Sequence, residues 1–216
     1  MTEQNFESMR LAMVSNQLRT TAVNDVRVVD AMRAVPREDY VPADRAAVAY
    51  VDTLVPLGGG RLLNSPMATG RLLTEIEAQP GDRALIIGAA TGYSAALLAG
   101  LVAEVVALDE DAALTAKARA AGLPANVTVV DGPLADGWAA GAPYDLVFID
   151  GAIEQVPQTL IDQLADGGRL AAAVIERGVS RLSIGRKAGG GFGMIAFADA
   201  EAAPLPGFAR PAAFTF

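Results

Sequence analysis

The chain has 216 residues, 52% hydrophobic and 19% charged, which suits one large folded domain, or one domain with an extension, and excludes a disordered chain. A formal charge of −8 argues against a nucleic-acid surface, which needs clustered Lys and Arg to displace counterions. With neither Cys nor His, disulfides, thiolate nucleophiles, the usual zinc sites and Ser-His-Asp triads are all excluded.

Glu3, Glu7, Arg10 and Arg19 interrupt the first twenty residues, so no signal peptide is evident and a cytoplasmic location is expected. Apolar Phe6, Met9, Met13 and Leu18 predict an amphipathic helix over 6–20. Asn24 or Asp25 can cap a second helix, which should stop before Pro36. Residues 36–63, with Pro36, Pro42, Pro56 and Gly58-Gly59-Gly60, read as loop. Ser65 followed by Pro66 marks a helix start, and that helix should run to about Ala78.

From residue 80 short β-rich runs alternate with Ala/Leu helices. Strands are expected at 83–88, 104–109, 126–131, 144–150 and 169–175, with helices near 93–102, 110–121 and 157–165. Gly122 and Gly167 are expected to end two of these helices in the left-handed conformation. Such alternation implies βαβ units and a parallel sheet covered on both faces. Residues 185–199 read as two strands joined by a Gly-rich hairpin, an antiparallel edge. The fold class is therefore α/β and Rossmann-like, with a mostly parallel sheet and an N-terminal helical extension. The division expected is 1–78 for the extension and 79–216 for the nucleotide-binding domain. The run 84–103 is twenty uncharged residues, but its Gly, Ala, Ser and Thr content and its turn glycines argue against a membrane span.

Gly88-Ala89-Ala90-Thr91-Gly92 follows the first of these strands and opens a helix at Tyr93, where backbone N–H groups can meet a ligand. Asp109, with Glu110 beside it, ends the next strand 21 residues after Gly88, the usual place for a carboxylate accepting from both ribose hydroxyls. Asp131-Gly132 ends the third strand at the same edge, where an adenine would lie. Each signal alone is weak; their register along one sheet edge gives them weight. A dinucleotide fingerprint would need Gly where Ala90 stands, so S-adenosyl-L-methionine, which has no pyrophosphate, is favoured over NAD. S-adenosyl-L-homocysteine would then be the product.

The segments MVSNQLRTTAVNDVRVVDAMRAVPREDYVP (13–42), AYVDTLVPL (49–57), ALIIGAATGYSAALLAGL and PYDLVFIDGAIEQVPQTLIDQLADGGRLAAAV together resemble the protein-L-isoaspartate O-methyltransferase family over nearly the whole chain. The resemblance implies an S-adenosylmethionine-dependent methyltransferase that esterifies isoaspartyl carboxylates in peptides or proteins, as damage repair. From charge and composition no nucleic-acid or membrane partner is expected, and the oligomeric state is left open.

Where the family loop carries a Ser against the reacting carboxylate, this chain has Asn64. Asn64 is therefore the candidate catalytic residue, with Asn64 and Ser65 as candidate substrate contacts. Ser65 has a competing role as helix N-cap. Ile86 stands where the family has an acid, and Ala90 where it has the second Gly. Asp150 ends the fourth strand as a further candidate cofactor contact. A divalent cation there would need several oxygen ligands, and no matching set is identified, so no metal is expected and a local hydrogen-bonding role is preferred. A methyltransferase with another acceptor, or a non-catalytic protein that kept the fold, are the alternatives.

Overall fold

The structure, a computed structural model, describes residues 5–210; the outer ends of both expected segments, 1–4 and 211–216, lie outside it. Helix α1 (Phe6–Met13) is capped by the Asn5 side chain and continues through a wider turn at Val14–Leu18. Helix α2 (Val26–Ala34) is capped by Asp25 and gives way to extended backbone at Val35, before Pro36. Helix α3 (Pro66–Glu75) has Ser65 as its N-cap and Pro66 at its first position.

The 36–63 stretch is more ordered than its prolines suggest. It holds two short 3₁₀ segments and a hairpin of β1 (Val55–Gly58) and β2 (Arg61–Leu63). Gly58, Gly59 and Gly60 turn that hairpin with φ of +100°, +59° and +79°, a run of left-handed residues that side chains with a Cβ disfavour.

The main sheet has seven strands in the order β5-β4-β3-β6-β7-β8-β9. Strands β3 (Arg83–Ile87), β4 (Glu104–Asp109), β5 (Val127–Asp131), β6 (Tyr144–Ile153) and β7 (Leu164–Glu176) are parallel. Antiparallel pairing adds β8 (Val179–Ala188) and β9 (Gly191–Asp199), turned at Gly189-Gly190. Helices α4 (Tyr93–Ala99), α5 (Ala112–Ala120) and α6 (Gln158–Asp162) connect the parallel strands. Gly122 follows α5 with φ +67°, as expected, whereas α6 ends well before Gly167, whose φ of +80° falls early in β7.

Apolar alternation along the parallel strands splits the core in two. Leu85, Ile87, Val147 and Ile149 face one cluster with Leu160 and Phe208. Ala84, Ile86, Leu146 and Phe148 face the other, and Met13, Leu18, Val28, Met32 and Leu72 of the N-terminal helices belong to that same cluster. The run 84–103 is thus a buried strand, loop and helix, and no helix among the described residues is long and apolar enough to cross a membrane.

Candidate functional site

The carboxyl ends of β3, β4 and β6 meet where open α/β sheets hold their ligands. Gly88, at φ +79°, leaves β3, and Gly92, at φ +94°, enters α4; between them Ala90 also takes a positive φ of +50°. The N–H groups of Gly88 and Ala89 both donate to the Leu108 carbonyl, and the Thr91 hydroxyl donates to the Tyr40 carbonyl at 2.7 Å. The loop is therefore tied to β4 and to the N-terminal extension.

Asp109 is fully buried, and all its lone-pair directions are used. Arg61 donates through Nη1 to Oδ1 at 2.7 Å and through Nη2 to Oδ2 at 2.9 Å. The backbone N–H of Asp111 adds a bond to Oδ1 at 3.0 Å, and that of Ala90 adds one to Oδ2 at 2.8 Å. This bidentate pair and the two backbone donors leave neither carboxylate oxygen an open acceptor site.

Asp150 lies where β6 slips out of register with β7, between Phe148 and Ala152. Asn64 donates from Nδ2 to Asp150 Oδ1 at 2.7 Å, and the Ser94 hydroxyl donates to Oδ2 at 2.5 Å. Burial pushes the Asp150 carboxyl above its ordinary value, opposed by those two donors and by the charges of Arg37 and Arg61. Asp150 thus makes two local side-chain hydrogen bonds, and no group of three or more acidic residues placed to hold a metal occurs among the described residues. Arg37, completely buried, donates to the carbonyls of Ala49 and Asn64 and lies 4.8 Å from the centre of the Tyr93 ring. Burial lowers the proton affinity of Arg37 and raises that of the Tyr93 phenol.

A segment with no expected role covers this edge. Residues 202–208 run along the end of β6: the Ala152 N–H donates to the Ala203 carbonyl at 2.6 Å, and the Leu205 N–H donates to the Ala152 carbonyl at 3.0 Å. Asn64 Oδ1 accepts the Ala203 N–H at 2.8 Å, so both ends of the Asn64 amide are engaged. A Cβ on Gly88 would stand only 2.9 Å from Leu205 Cδ2, and one on Gly151 only 2.5 Å from Leu205 Cγ. Leu205 therefore rests directly on the nucleotide loop.

The structure thus brings Asn64, Gly88, Asp109 and Asp150 to one edge, with Arg61, Ser94 and Leu205 added. Other candidates sit differently. Ser65 accepts the Ala68 N–H as the α3 cap, and Tyr93 turns inward to an edge-on contact with Tyr40, ring centres 5.5 Å apart. Asp131 pairs with Arg119 and Thr115 at the outer strand, its carboxyl half exposed, and Glu110 is exposed beside it. Gly132 follows Asp131 and donates its N–H to the Asp109 carbonyl. A cavity of about 300 Å³ reaches the loop only at Thr91, between Tyr40 and Lys117. Arg61 had one legible signal, a lone cation directly after three glycines; the 202–208 strap had another, apolar Ala202, Ala203, Leu205 and Phe208 broken by Pro204 and Pro206.

The sheet order, the glycine loop and the strand-end carboxylates define a Rossmann-like fold of the methyltransferase class. The model of the protein-L-isoaspartate(D-aspartate) O-methyltransferase family matches residues 9–198, and the chain belongs to that family. It is 38% identical over 172 residues to a protein-L-isoaspartate O-methyltransferase of Methylorubrum populi, covering 78% of this chain and 80% of that one. With the Koribacter versatilis protein of the same name the figure is 34% over 202 residues, covering 92% and 90%. Its fold matches that of a Plasmodium falciparum beta-aspartate methyltransferase in complex with S-adenosyl-L-homocysteine, at TM-score 0.78 and 18% identity, covering 94% and 99%.

S-adenosylmethionine is the cofactor that family and fold imply. The residue types suit it, because Asp109 can accept from ribose hydroxyls and Gly88 permits close approach. In the arrangement seen they do not fit it: Asp109 has no free acceptor, and Leu205 fills the space over Gly88.

Proposed function

We propose that the chain is an S-adenosylmethionine-dependent carboxyl O-methyltransferase that acts on isoaspartyl residues of damaged peptides and proteins. The family match over residues 9–198 carries this reading, since it spans Asn64, the 88–92 loop, Asp109 and Asp150. Esterification of a carboxylate suits a chain without His or Cys: the nucleophile is already charged and no general base is needed, so the protein's work is positioning and exclusion of water. Asn64 and Asp150 are proposed to border the acceptor side, and the 88–92 loop with Asp109 the cofactor side. The reading is tested by transfer of labelled methyl groups to one isoaspartyl peptide and to its normal aspartyl counterpart. Labelling of the isoaspartyl peptide alone is expected; equal labelling of both would replace the acceptor class.

The saturated Asp109 favours a second reading, a non-catalytic family member whose site stays closed. Methyl transfer to neither peptide, with correctly folded protein, would select it.

A further inference from the structure

We infer that Asp166-Gly167, near the start of β7, is a site of spontaneous isomerisation, where the folded chain converts an aspartyl linkage of its own into an isoaspartyl one. The inference goes beyond the methyltransferase reading and does not depend on it.

Aspartate followed by glycine is the sequence most open to this reaction, because glycine places no Cβ beside its own amide nitrogen. The chain has four such pairs, Asp131-Gly132, Asp136-Gly137, Asp150-Gly151 and Asp166-Gly167, and no Asn-Gly. The glycine nitrogen attacks the carboxyl carbon of the preceding Asp. The new C–N bond closes a cyclic imide, and the amide proton leaves with a carboxyl hydroxyl as water. Water then adds to one of the two imide carbonyls. When the C–N bond at the α-carbonyl breaks, the chain runs through the side-chain carbonyl and the α-carboxylate is free. One water leaves and one returns, so no co-reactant is required. The attack needs a carboxyl free to swing over a glycine that can rotate.

Three of the four pairs are held away from that geometry. Asp150 is buried with its oxygens bonded to Asn64 and Ser94, and a Cβ on Gly151 would stand 2.5 Å from Leu205, so neither residue has space to turn. Asp131 is exposed, but Arg119 and the Thr115 hydroxyl hold its carboxyl, and the Gly132 N–H donates to the Asp109 carbonyl at 3.1 Å. Asp136 is exposed, but Gly137 is buried against Gln163 and Leu160, which a Cβ would meet at 2.6 and 2.7 Å. The Gly137 N–H also donates to the Leu134 carbonyl.

Asp166-Gly167 lacks those restraints. Both residues are exposed, and nothing lies within 4 Å of the place a Cβ would take on Gly167. Residues 165–168 have no partner in the register of β7 with β6 or with β8. The Asp166 carboxyl accepts one hydrogen bond, from the Gly189 N–H at 2.9 Å, and Gly189 is itself exposed in the β8–β9 turn. Backbone so lightly held opens more readily than paired strand. Conversion adds a methylene to the main chain there and removes the side-chain carboxylate that ties the β8–β9 turn to β7.

A single tryptic peptide, 120–169, carries all four pairs, so their rates can be read side by side. The intact protein is aged in warm neutral buffer without S-adenosylmethionine, both native and in guanidinium chloride, and isoaspartyl linkages in that peptide are located by electron-transfer fragmentation. In the native protein Asp166 should accumulate isoaspartate at least roughly tenfold faster than any of the other three pairs. In guanidinium chloride, which removes the restraints of the fold, the four rates should draw together. Asp166→Glu, whose larger ring closes slowly, should abolish the native signal at this position and leave the other three unchanged. Native accumulation led by another pair, or equal at all four, would overturn the assignment. So would a native protein free of isoaspartate at Asp166 while the unfolded chain acquires it. A lead of Asp166 that persists unchanged in guanidinium chloride would also overturn it, because the fold would then have no part in the choice of site.

Discussion

Two strand ends of one sheet carry the same residue in opposite settings. At the end of β4, Asp109 meets a cation, and every oxygen lone pair has a donor. Near the carboxyl end of β6, Asp150 is also buried but is held by an amide and a hydroxyl, with Arg37 and Arg61 acting only from a distance. The first carboxylate is matched by a cation in direct contact; the second is disfavoured in its charged form by burial, an effect opposed by its two neutral donors. Burial alone therefore says little about what a strand-end aspartate does, and the partner decides it.

The largest effect should come from breaking the ion pair on the β4 side. Asp109→Ala leaves the Arg61 guanidinium buried without its partner, which should cost about 3–5 kcal/mol in urea unfolding. A loss below about 1 kcal/mol would mean that the pair is open to water in solution.

Next comes Asn64, which bridges the β6 side to the strap. Asn64→Ser cannot both donate to Asp150 and accept from Ala203 across the same span, so a loss of about 1–3 kcal/mol is expected. Unchanged stability would show that the strap does not depend on this amide.

The third effect is a pH slope. Burial, the largest cause, places the native Asp150 carboxyl above its ordinary 3.8, so the folded protein holds this proton more tightly than the unfolded chain does. Its contribution to stability is therefore most favourable at low pH and declines as pH rises from the ordinary carboxylate range through the native value. Asp150→Asn should flatten that decline in urea midpoints taken from about pH 4 to about pH 8. An identical slope in wild type and variant would assign the decline to other groups. The smallest effect belongs to Asp131, whose pair with Arg119 is exposed: Asp131→Ala should leave the melting temperature unchanged within error.

Much of this edge was legible before the structure. The β-rich runs ending in Gly88, Asp109 and Asp131 located three strand ends to within a residue, because parallel strands are short, apolar and bounded by turn residues, whereas the run ending in Asp150 stopped short of β6, which continues to Ile153. Ser65 was readable as a cap, and the second helix start was narrowed to Asn24 or Asp25, because a single side chain decides a helix start; Asp25 is the one that caps. The β1–β2 hairpin was hidden by its brevity and its proline. Gly167 misled because a positive φ serves a strand irregularity as well as a helix end. What one strand end meets could not be read at all: Arg61 and Asp109 are 48 residues apart, and Asn64 and Ala203 are 139 apart. Tertiary placement made those pairs, and no local pattern encodes them.

The Arg61 guanidinium occupies both oxygens of Asp109, the carboxylate proposed to face the cofactor. Calorimetric titration of S-adenosyl-L-homocysteine into wild type and Arg61→Gln, both checked for a cooperative melt, bears most directly on that strand end. Tighter binding by Arg61→Gln is expected, because the variant frees acceptor sites that the ion pair holds. Equal or weaker binding by the folded variant would contradict competition between the guanidinium and a ribose.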